Sequence, residues 1–518
     1  VGSHKKLFLK ASFYISIAII LSRILGMVRE QYSLYLFGAG WDLDAYVSAS
    51  KIPNVLRNLL GEGAFSAVFI AIFARLYQES KEKALTFANR VISYLTVISI
   101  GITVLGVIAA PYYLPLIHKS QVNFHTVVNL TSYIMPFLTF ISLSAIFMGI
   151  LNSWQIYFIP ALAPFFGNVA YLAIVFFTHE SYGVLSLALG FLGSSVAYVL
   201  VQIPVLIKNR FPLRLDFKID SHVKHFFVSF LPVAFGMAVF QLNRVISNIF
   251  SSSMEGGNTI FEKSFIIAQL FLSVFITGIS TVLLPLISRE DKGKMAQIYT
   301  DSLRLIFMIL FPVSIFFLLM GTEISSFIYK DILVFLGFGT GKISDETIGE
   351  IGKMLLYFSP GILCFGLITI VNRGFQGLKM FYLPVIGSVV SVTLNYILMT
   401  FLVPVMDLAG LPAAISIASF VNLIVLLTLF HMKNKVSYQT FFFTGAKSVI
   451  AGSFLFFFIF GLKRIMDIPL FWKTPLILLS GSSFYFLVLL ALKEQDIFRL
   501  YKALKRRVKA KLSRPPQK

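Results

Sequence analysis

Ser12-Phe-Tyr-Ile-Ser-Ile-Ala-Ile-Ile-Leu-Ser22-Arg23-Ile-Leu-Gly26-Met-Val-Arg29 places two arginines inside an otherwise apolar run. In helical form, at about 1.5 Å per residue, Arg23 lies about 18 Å into the segment, near the middle of a hydrocarbon core ~30 Å thick. A charge at that depth costs from about 3 to more than 10 kcal/mol, so it persists where it faces a wet cavity, a partner or a substrate. A buried structural ion pair is the alternative reading. The next helix favours a cavity.

That helix reads Asp44-Ala-Tyr-Val-Ser48-Ala-Ser-Lys51-Ile-Pro53-Asn54-Val-Leu-Arg57-Asn58-Leu-Leu-Gly61-Glu62-Gly63-Ala-Phe65. At 100° per residue, Asp44, Ser48, Lys51, Asn58 and Glu62 fall close to one line that runs about 27 Å. Lipid does not tolerate such a stripe, so it must face protein or water. Pro53, Gly61 and Gly63 can bend the helix, as a gate would need. Arg57 lies about 140° off the stripe and is expected to meet a neighbouring helix. Arg23, Arg29, Lys51 and Arg57 against Asp44 and Glu62 leave a cationic surplus that attracts anions. Arginine forks match phosphate and carboxylate oxygens with paired hydrogen bonds. A purely structural network remains the competing reading.

The rest of the chain fits this membrane setting. It has 518 residues, 57% hydrophobic and 13% charged, against about 25% charged in soluble domains. The fold class is therefore all-α and polytopic, with fourteen spans expected at 11–36, 44–74, 88–113, 126–151, 157–178, 184–207, 223–250, 260–287, 300–320, 352–374, 382–403, 409–430, 445–462 and 472–492. Segment 324–340 is apolar but short and Gly-broken, and reads as a loop or interfacial helix. The first apolar segment is too long and too basic for a cleavable signal peptide, and Val1-Gly-Ser-His4 reads as a cloning remnant. Cys364, the single cysteine, excludes an intramolecular disulfide and is expected to be a buried thiol.

Net charge is +21, and alternate loops carry it. Lys208, Arg210, Arg214, Lys218 and Lys224 crowd one loop, whereas 37–43, 179–183 and 404–410 hold no Lys or Arg. The positive-inside rule then puts both termini in the cytoplasm. The basic tail, Lys502 to Lys518, is expected on anionic lipid; without a recognition module, nucleic acid is not an expected partner. Expected divisions are an N-terminal lobe at 1–207, a cytoplasmic linker at 208–222, a C-terminal lobe at 223–430, two further helices over 431–492 and the tail 493–518. An internal echo supports two lobes: Gly149-Ile-Leu-Asn152 through Phe158-Ile-Pro160 and Arg373-Gly-Phe-Gln376 through Phe381-Tyr-Leu-Pro384 share one layout, 224 residues apart. A parallel repeat fits that spacing.

Gln241-Leu-Asn243-Arg244 adds an arginine in the seventh span, with Gln241 and Asn248 one turn to either side. It either lines the cavity or snorkels to an interface. His222 and His225 sit in a basic loop and are not expected to bind metal. No nucleotide-binding or catalytic motif accompanies these features, so no enzyme activity, cofactor or metal is expected.

Ser22-Arg23-Ile-Leu-Gly26-Met-Val-Arg29-Glu30, Phe37-Gly-Ala-Gly40, Asp44-Ala45, Lys51-Ile-Pro-Asn54-Val-Leu-Arg57 and Glu62-Gly-Ala-Phe65-Ser66 resemble the MurJ (MviN) family, as do Leu151-Asn152-Ser153 and Phe158-Ile-Pro-Ala-Leu-Ala-Pro164 with Asn168. These are lipid II flippases of the multidrug/oligosaccharidyl-lipid/polysaccharide exporter superfamily. The likeness is dense over 12–170 and thinner to about 430. It implies fourteen helices in two lobes around a cavity that opens alternately to either side, with the last two helices forming a groove for a polyprenyl tail. It also implies essential cavity charges at Arg23, Arg29, Asp44, Arg57 and Glu62. The implied substrate is undecaprenyl-pyrophosphoryl disaccharide-pentapeptide, moved outward across the inner membrane for peptidoglycan synthesis by membrane potential or an ion gradient. Membrane lipids and cell-wall synthesis proteins are the other expected partners. A related flippase or exporter of another lipid-linked oligosaccharide or a drug is the alternative. Two departures stand out. The family's helix-eight Asp-Arg pair corresponds here to Phe265-Ile266, leaving Lys263 or Arg244 to supply the cation. Spans 223–250 and 382–403 contain no Asp or Glu, so a sodium site is not expected.

Overall fold

A computed structural model describes residues 2–59, 64–289, 292–378, 380 and 382–498. Its helices, in order, are α1 (Gly2–Phe37), α2 (Trp41–Arg57), α3 (Ala64–Glu79), α4 (Lys81–Ile117), α5 (Phe124–Ile134), α6 (Phe137–Ser153), α7 (Phe158–Tyr182), α8 (Leu185–Lys208) and α9 (Ser221–Ser251). There follow α10 (Gly257–Arg289), α11 (Lys292–Ser326), α12 (Ile332–Phe335), α13 (Asp345–Gly377), α14 (Tyr382–Met406), α15 (Gly410–Asn434), α16 (Gln439–Ile465) and α17 (Leu470–Ala491).

Each expected span falls on a helix or an interrupted pair. The 44–74 segment is divided into α2 and α3, and the 126–151 segment is broken beside Pro136, which lacks the N–H that a continuous ladder needs. Among the described residues nine stretches are long and apolar enough to cross a membrane by themselves; the longest, Tyr382–Asn434, holds two expected spans. The 324–340 segment forms the end of α11, a π turn at Phe327–Asp331, the single turn α12 and an irregular loop.

Two compact units divide the chain. The first comprises 1–259 with 341–343, the second 260–340 with 344–518. In the first, α4 packs on α6, α6 on α8 and α7 on α8, while α9 lies against α3 and α4. The packing boundary thus falls after Thr259, beyond the 208–222 linker. A core of Phe65, Phe69, Phe73, Phe87 and Phe226 joins α3, α4 and α9. The rings meet stacked or edge-on, as their quadrupoles favour. Gly38 ends α1 with φ +68°, and a Cβ there would lie 2.9 Å from the Lys342 carbonyl.

The second unit repeats the arrangement: α11 packs on α13, α13 on α15 and α14 on α15. Gly321 and Gly352 let α11 and α13 cross closely, since a Cβ on Gly321 would come within 2.4 Å of the Gly352 carbonyl oxygen. The sequence echo has a structural counterpart. At the end of α6 the Ile156 N–H bonds the Leu151 carbonyl at 2.9 Å, and at the end of α13 the Met380 N–H bonds the Phe375 carbonyl at 2.9 Å. These are the same helix-ending bond at equivalent positions of the two echoes.

Candidate substrate-binding site

Arg29 is the centre of the first polar cluster. Its Nη2 donates to Glu30 Oε1 at 2.7 Å and its Nη1 reaches Asn168 Oδ1 at 3.5 Å. The guanidinium carbon lies 5.1 Å from the centroid of the Tyr171 ring, within cation–π range. Asn168 also donates from Nδ2 to the Ser22 carbonyl at 3.1 Å. Gly26 faces the same amide, and a Cβ there would stand 3.5 Å from Asn168 Nδ2, an ordinary contact. The Tyr171 hydroxyl shares a hydrogen bond with Ser33 Oγ at 3.2 Å and donates to the Tyr46 hydroxyl at 3.4 Å. Thus α1 and α7 hold the guanidinium, with Tyr46 of α2 reaching it only through Tyr171, while 27% of its side chain stays exposed.

Asp44 belongs to a second cluster, at the opposite end of the unit from the basic loops. Its Oδ1 accepts from the Thr259 N–H at 2.8 Å and the Thr259 hydroxyl at 2.7 Å. Because Thr259 stands in the first turn of α10, Asp44 acts as an N-cap supplied from another helix. Its Oδ2 is buried with no hydrogen-bond partner among the described residues. One turn on, Ser48 Oγ bonds His118 Nδ1 at 3.0 Å and accepts from Asn258 Nδ2 at 2.6 Å. His118 Nε2 meets Asn123 Oδ1 at 2.8 Å, and Asn123 Nδ2 donates to the Trp41 carbonyl at 2.6 Å. Ser251 donates to Asn258 Oδ1. This chain ties α2, the α4–α5 loop, the end of α9 and the start of α10. Burial pulls the His118 imidazole below its ordinary 6.5, against an opposing hydrogen bond with Asn123.

The expected site residues therefore divide. Asp44, Ser48 and Lys51 are all buried, as a protein-facing stripe requires. Pro53 is buried inside α2 without ending it. The stripe does not continue in one α-helical register, because Asn58 and Leu59 adopt a π turn. Arg57 and Asn58 are half-buried, and Arg57 Nε has no hydrogen-bond partner among the described residues. Gly61, Glu62 and Gly63 lie outside the described residues. Arg23 is exposed on α1, and Arg244 is half-buried on α9. Asn248, one turn from Arg244, donates to the Ile117 carbonyl at the end of α4, at 2.8 Å. Lys263 is 2% exposed, and its carbonyl accepts from the Tyr329 hydroxyl. Phe265, at the family's helix-eight position, stacks with Phe261 and packs against Phe358.

Sequence reading did not assign roles to Tyr46, Tyr171, His118, Asn258 or Thr259. Tyr171 had a signal: it follows Asn168 by three residues and shares its helix face. Among the described residues no group of three or more His, Cys, Asp or Glu is gathered as a metal site. The arrangement offers an oriented, partly open guanidinium suited to an anion, and a buried hydrogen-bond network joining α2, the α4–α5 loop, the end of α9 and the start of α10.

A family model described as "Lipid II flippase MurJ" matches residues 34–479. "Probable lipid II flippase MurJ" of Treponema pallidum is 26% identical over 440 residues, covering 82% of this chain and 81% of that protein. "Lipid II flippase MurJ" of Burkholderia cenocepacia is 27% identical over 428 residues, covering 79% and 80%. A solved structure described as lipid II flippase MurJ in an inward closed conformation superposes with a TM-score of 0.78 at 24% identity, covering 93% of this chain and 99% of that one. An inward-facing multidrug transporter of the MATE family, in the MOP superfamily, gives 0.65 at 17% identity, covering 80% and 98%; these two likenesses concern the fold. The match over 34–479 spans most of the 518 residues and both compact units, and the chain belongs to the lipid II flippase MurJ family.

Proposed function

We propose that this chain moves lipid II from the cytoplasmic to the outer leaflet of the bacterial inner membrane. The observation that carries the reading is the family match across both units. The geometry of Arg29 suits it chemically. A guanidinium held against Tyr171 by Asn168 and Glu30 keeps its fork oriented, and a pyrophosphate presents oxygens at the matching spacing. Arg23, Lys51 and Arg57 add positive charge along the path, and Asn58, Glu62 and Arg244 add polar contacts to sugar and peptide.

Transport proceeds by alternating access: the Asp44–Thr259 latch and the Ser48–His118–Asn258 network close the outer end while substrate loads, then break for release. Relatives of the same fold have been solved in inward-facing and outward-facing states. The termini lie on the cytoplasmic side, and α16 with α17 receive the polyprenyl tail. Membrane potential drives the cycle, because each charge crossing the field exchanges about 2.3 kcal/mol per 100 mV. An inside-negative potential favours outward movement of the anion and return of the emptied cationic site. Complementation of a strain depleted of its own lipid II flippase tests the function. Growth without restored lipid II exposure at the outer leaflet, or no growth at normal membrane levels, rejects it. Dissipating the potential while ATP stays high tests the coupling, and unchanged lipid II exposure rejects that part.

A further inference from the structure

Residues 209–220 join α8 to α9 as an irregular segment laid along α4. Asn89 fixes it twice, donating from Nδ2 to the Pro212 carbonyl at 2.7 Å and accepting from the Arg214 N–H at 3.2 Å. Ser93, one turn on, accepts from the Asp216 N–H at 2.9 Å, and the Tyr94 hydroxyl donates to the Phe217 carbonyl. Arg90 grips Asp216 at 2.8 Å and Asp220 at 2.5 Å. These contacts pin the backbone to α4 at 212, 214, 216 and 217, and the Phe217 ring meets the Tyr94 ring edge-on at 5.8 Å. Leu213, Leu215, Phe217 and Ile219 nevertheless remain 63%, 76%, 51% and 67% exposed.

A row of four large apolar side chains held outward by six hydrogen bonds and ion pairs is a built surface. Its surroundings identify what covers it. Beyond Tyr94, α4 continues with exposed Val97 and Ile100, so the row lies where the helix passes from headgroups into acyl chains. Arg214 and Lys218 alternate with the apolar row and are themselves exposed, in one of the most basic loops of the chain. Apolar insertion with interleaved basic residues is the pattern of an interfacial anchor on an anionic leaflet.

We propose that residues 210–219 form an interfacial strap. Leu213, Leu215, Phe217 and Ile219 enter the acyl boundary of the leaflet on the basic side, and Arg214 and Lys218 pair with phosphates of anionic phospholipids. The strap holds the connection between α8 and α9 at fixed depth while the helices around it move.

Single nitroxide labels read this directly in nanodiscs of phosphatidylcholine, alone or mixed with phosphatidylglycerol. Leu215→Cys and Lys218→Cys are labelled in the full chain carrying Cys364→Ser. Cys364 is buried, so the unreplaced chain serves equally if that variant folds poorly. Oxygen should relax the label at position 215 more than a water-soluble nickel chelate does, and the order should reverse at 218. Phosphatidylglycerol should deepen the 215 label, and Arg214→Glu with Lys218→Glu should remove that gain. Equal access of the chelate at both positions means a hydrated loop. Exclusion of both reagents at 215 means a protein cover. Either result overturns the strap, and equal depth in the two lipid mixtures overturns the role of anionic lipid.

Discussion

Arg29 on α1 and Arg304 on α11 are both arginines held by other helices in a membrane protein, and their partners make opposite use of them. Arg304 Nη2 meets Glu494 at 2.8 Å and Asp496 at 3.0 Å, Nη1 meets Asp301 at 3.1 Å, and Nε donates to Thr444 at 2.8 Å. Lys447 completes the cluster on the second Glu494 oxygen at 3.2 Å. Every guanidinium nitrogen is engaged, only 8% of the side chain is exposed, and α11, α16 and the segment after α17 are fastened together. Arg29 has one carboxylate, one long amide contact and an aromatic face, with more than three times that exposure. Counting arginines in apolar sequence does not separate a rivet from a candidate ligand site. What differs is the supply of carboxylates, three around Arg304 and one around Arg29.

The sharpest break of this comparison is removal of each arginine in turn. Arg304→Ala leaves Glu494 buried without its main partner, and should cost about 3–5 kcal/mol of stability. Thermal unfolding in detergent should show the loss, with transport per folded molecule retained. Arg29→Ala should leave folding intact and lower lipid II transport on the order of 100-fold. Two charge-assisted hydrogen bonds to a pyrophosphate, at about 1.5–3 kcal/mol each, account for that size. Complementation at matched membrane levels measures it, and near-normal growth would mean that Arg29 is a second rivet.

Conservative replacement sharpens the contrast. Arg29→Lys keeps the charge but loses the fork, and should retain only about a tenth of the activity. Lysine equal to arginine would reduce the requirement to a positive field. Asp44→Asn tests the latch instead of the ligand site. It weakens the acceptor for the Thr259 N–H and hydroxyl by about 1 kcal/mol. The expected outcome is faster thiol labelling of Ser120→Cys, buried in the α4–α5 loop, in the chain carrying Cys364→Ser, because the network opens more often.

The smallest effect is on pH, and the two regions differ in its window. His118 has a lowered pKa in the folded chain, so the unfolded state binds the extra proton first as pH falls. The network around Ser48 is fully stable above 6.5 and weakens as pH drops from 6.5 toward the depressed folded value. His118→Gln should flatten that part of a stability–pH profile. At the other cluster, burial alone would raise the Glu494 carboxyl, but bonds from Arg304, Thr444 and Lys447 outweigh it and bring the carboxyl below 4.5. Its contribution is complete above 4.5 and is lost as pH falls through the folded value. The two transitions should therefore separate on one titration.

Arg29 was legible in sequence because charge at membrane depth is costly wherever the chain folds. Asp44, Ser48 and Lys51 were legible as a buried face because helical periodicity fixes which residues line up. The line beyond Lys51 was not legible, since a π turn at Asn58 and Leu59 resets the register and depends on local packing. Around Arg304 the sequence offers only Asp301, three residues before it, as a nearby partner. Its decisive partner stands 190 residues away.

By itself the sequence determined the all-helical membrane class, the alternation of basic loops along the chain and the placing of Arg29 inside an apolar helix. Hydropathy, charge cost and helical period act residue by residue, so they can be read without knowing neighbours. The tertiary structure alone decided that Tyr171 and Asn168 orient Arg29, that Asp44 caps α10 and that Arg304 is consumed as a fastener. Those outcomes rest on hydrogen bonds and ion pairs between residues far apart in the chain, whose strength depends on distances of a few ångströms that folding sets.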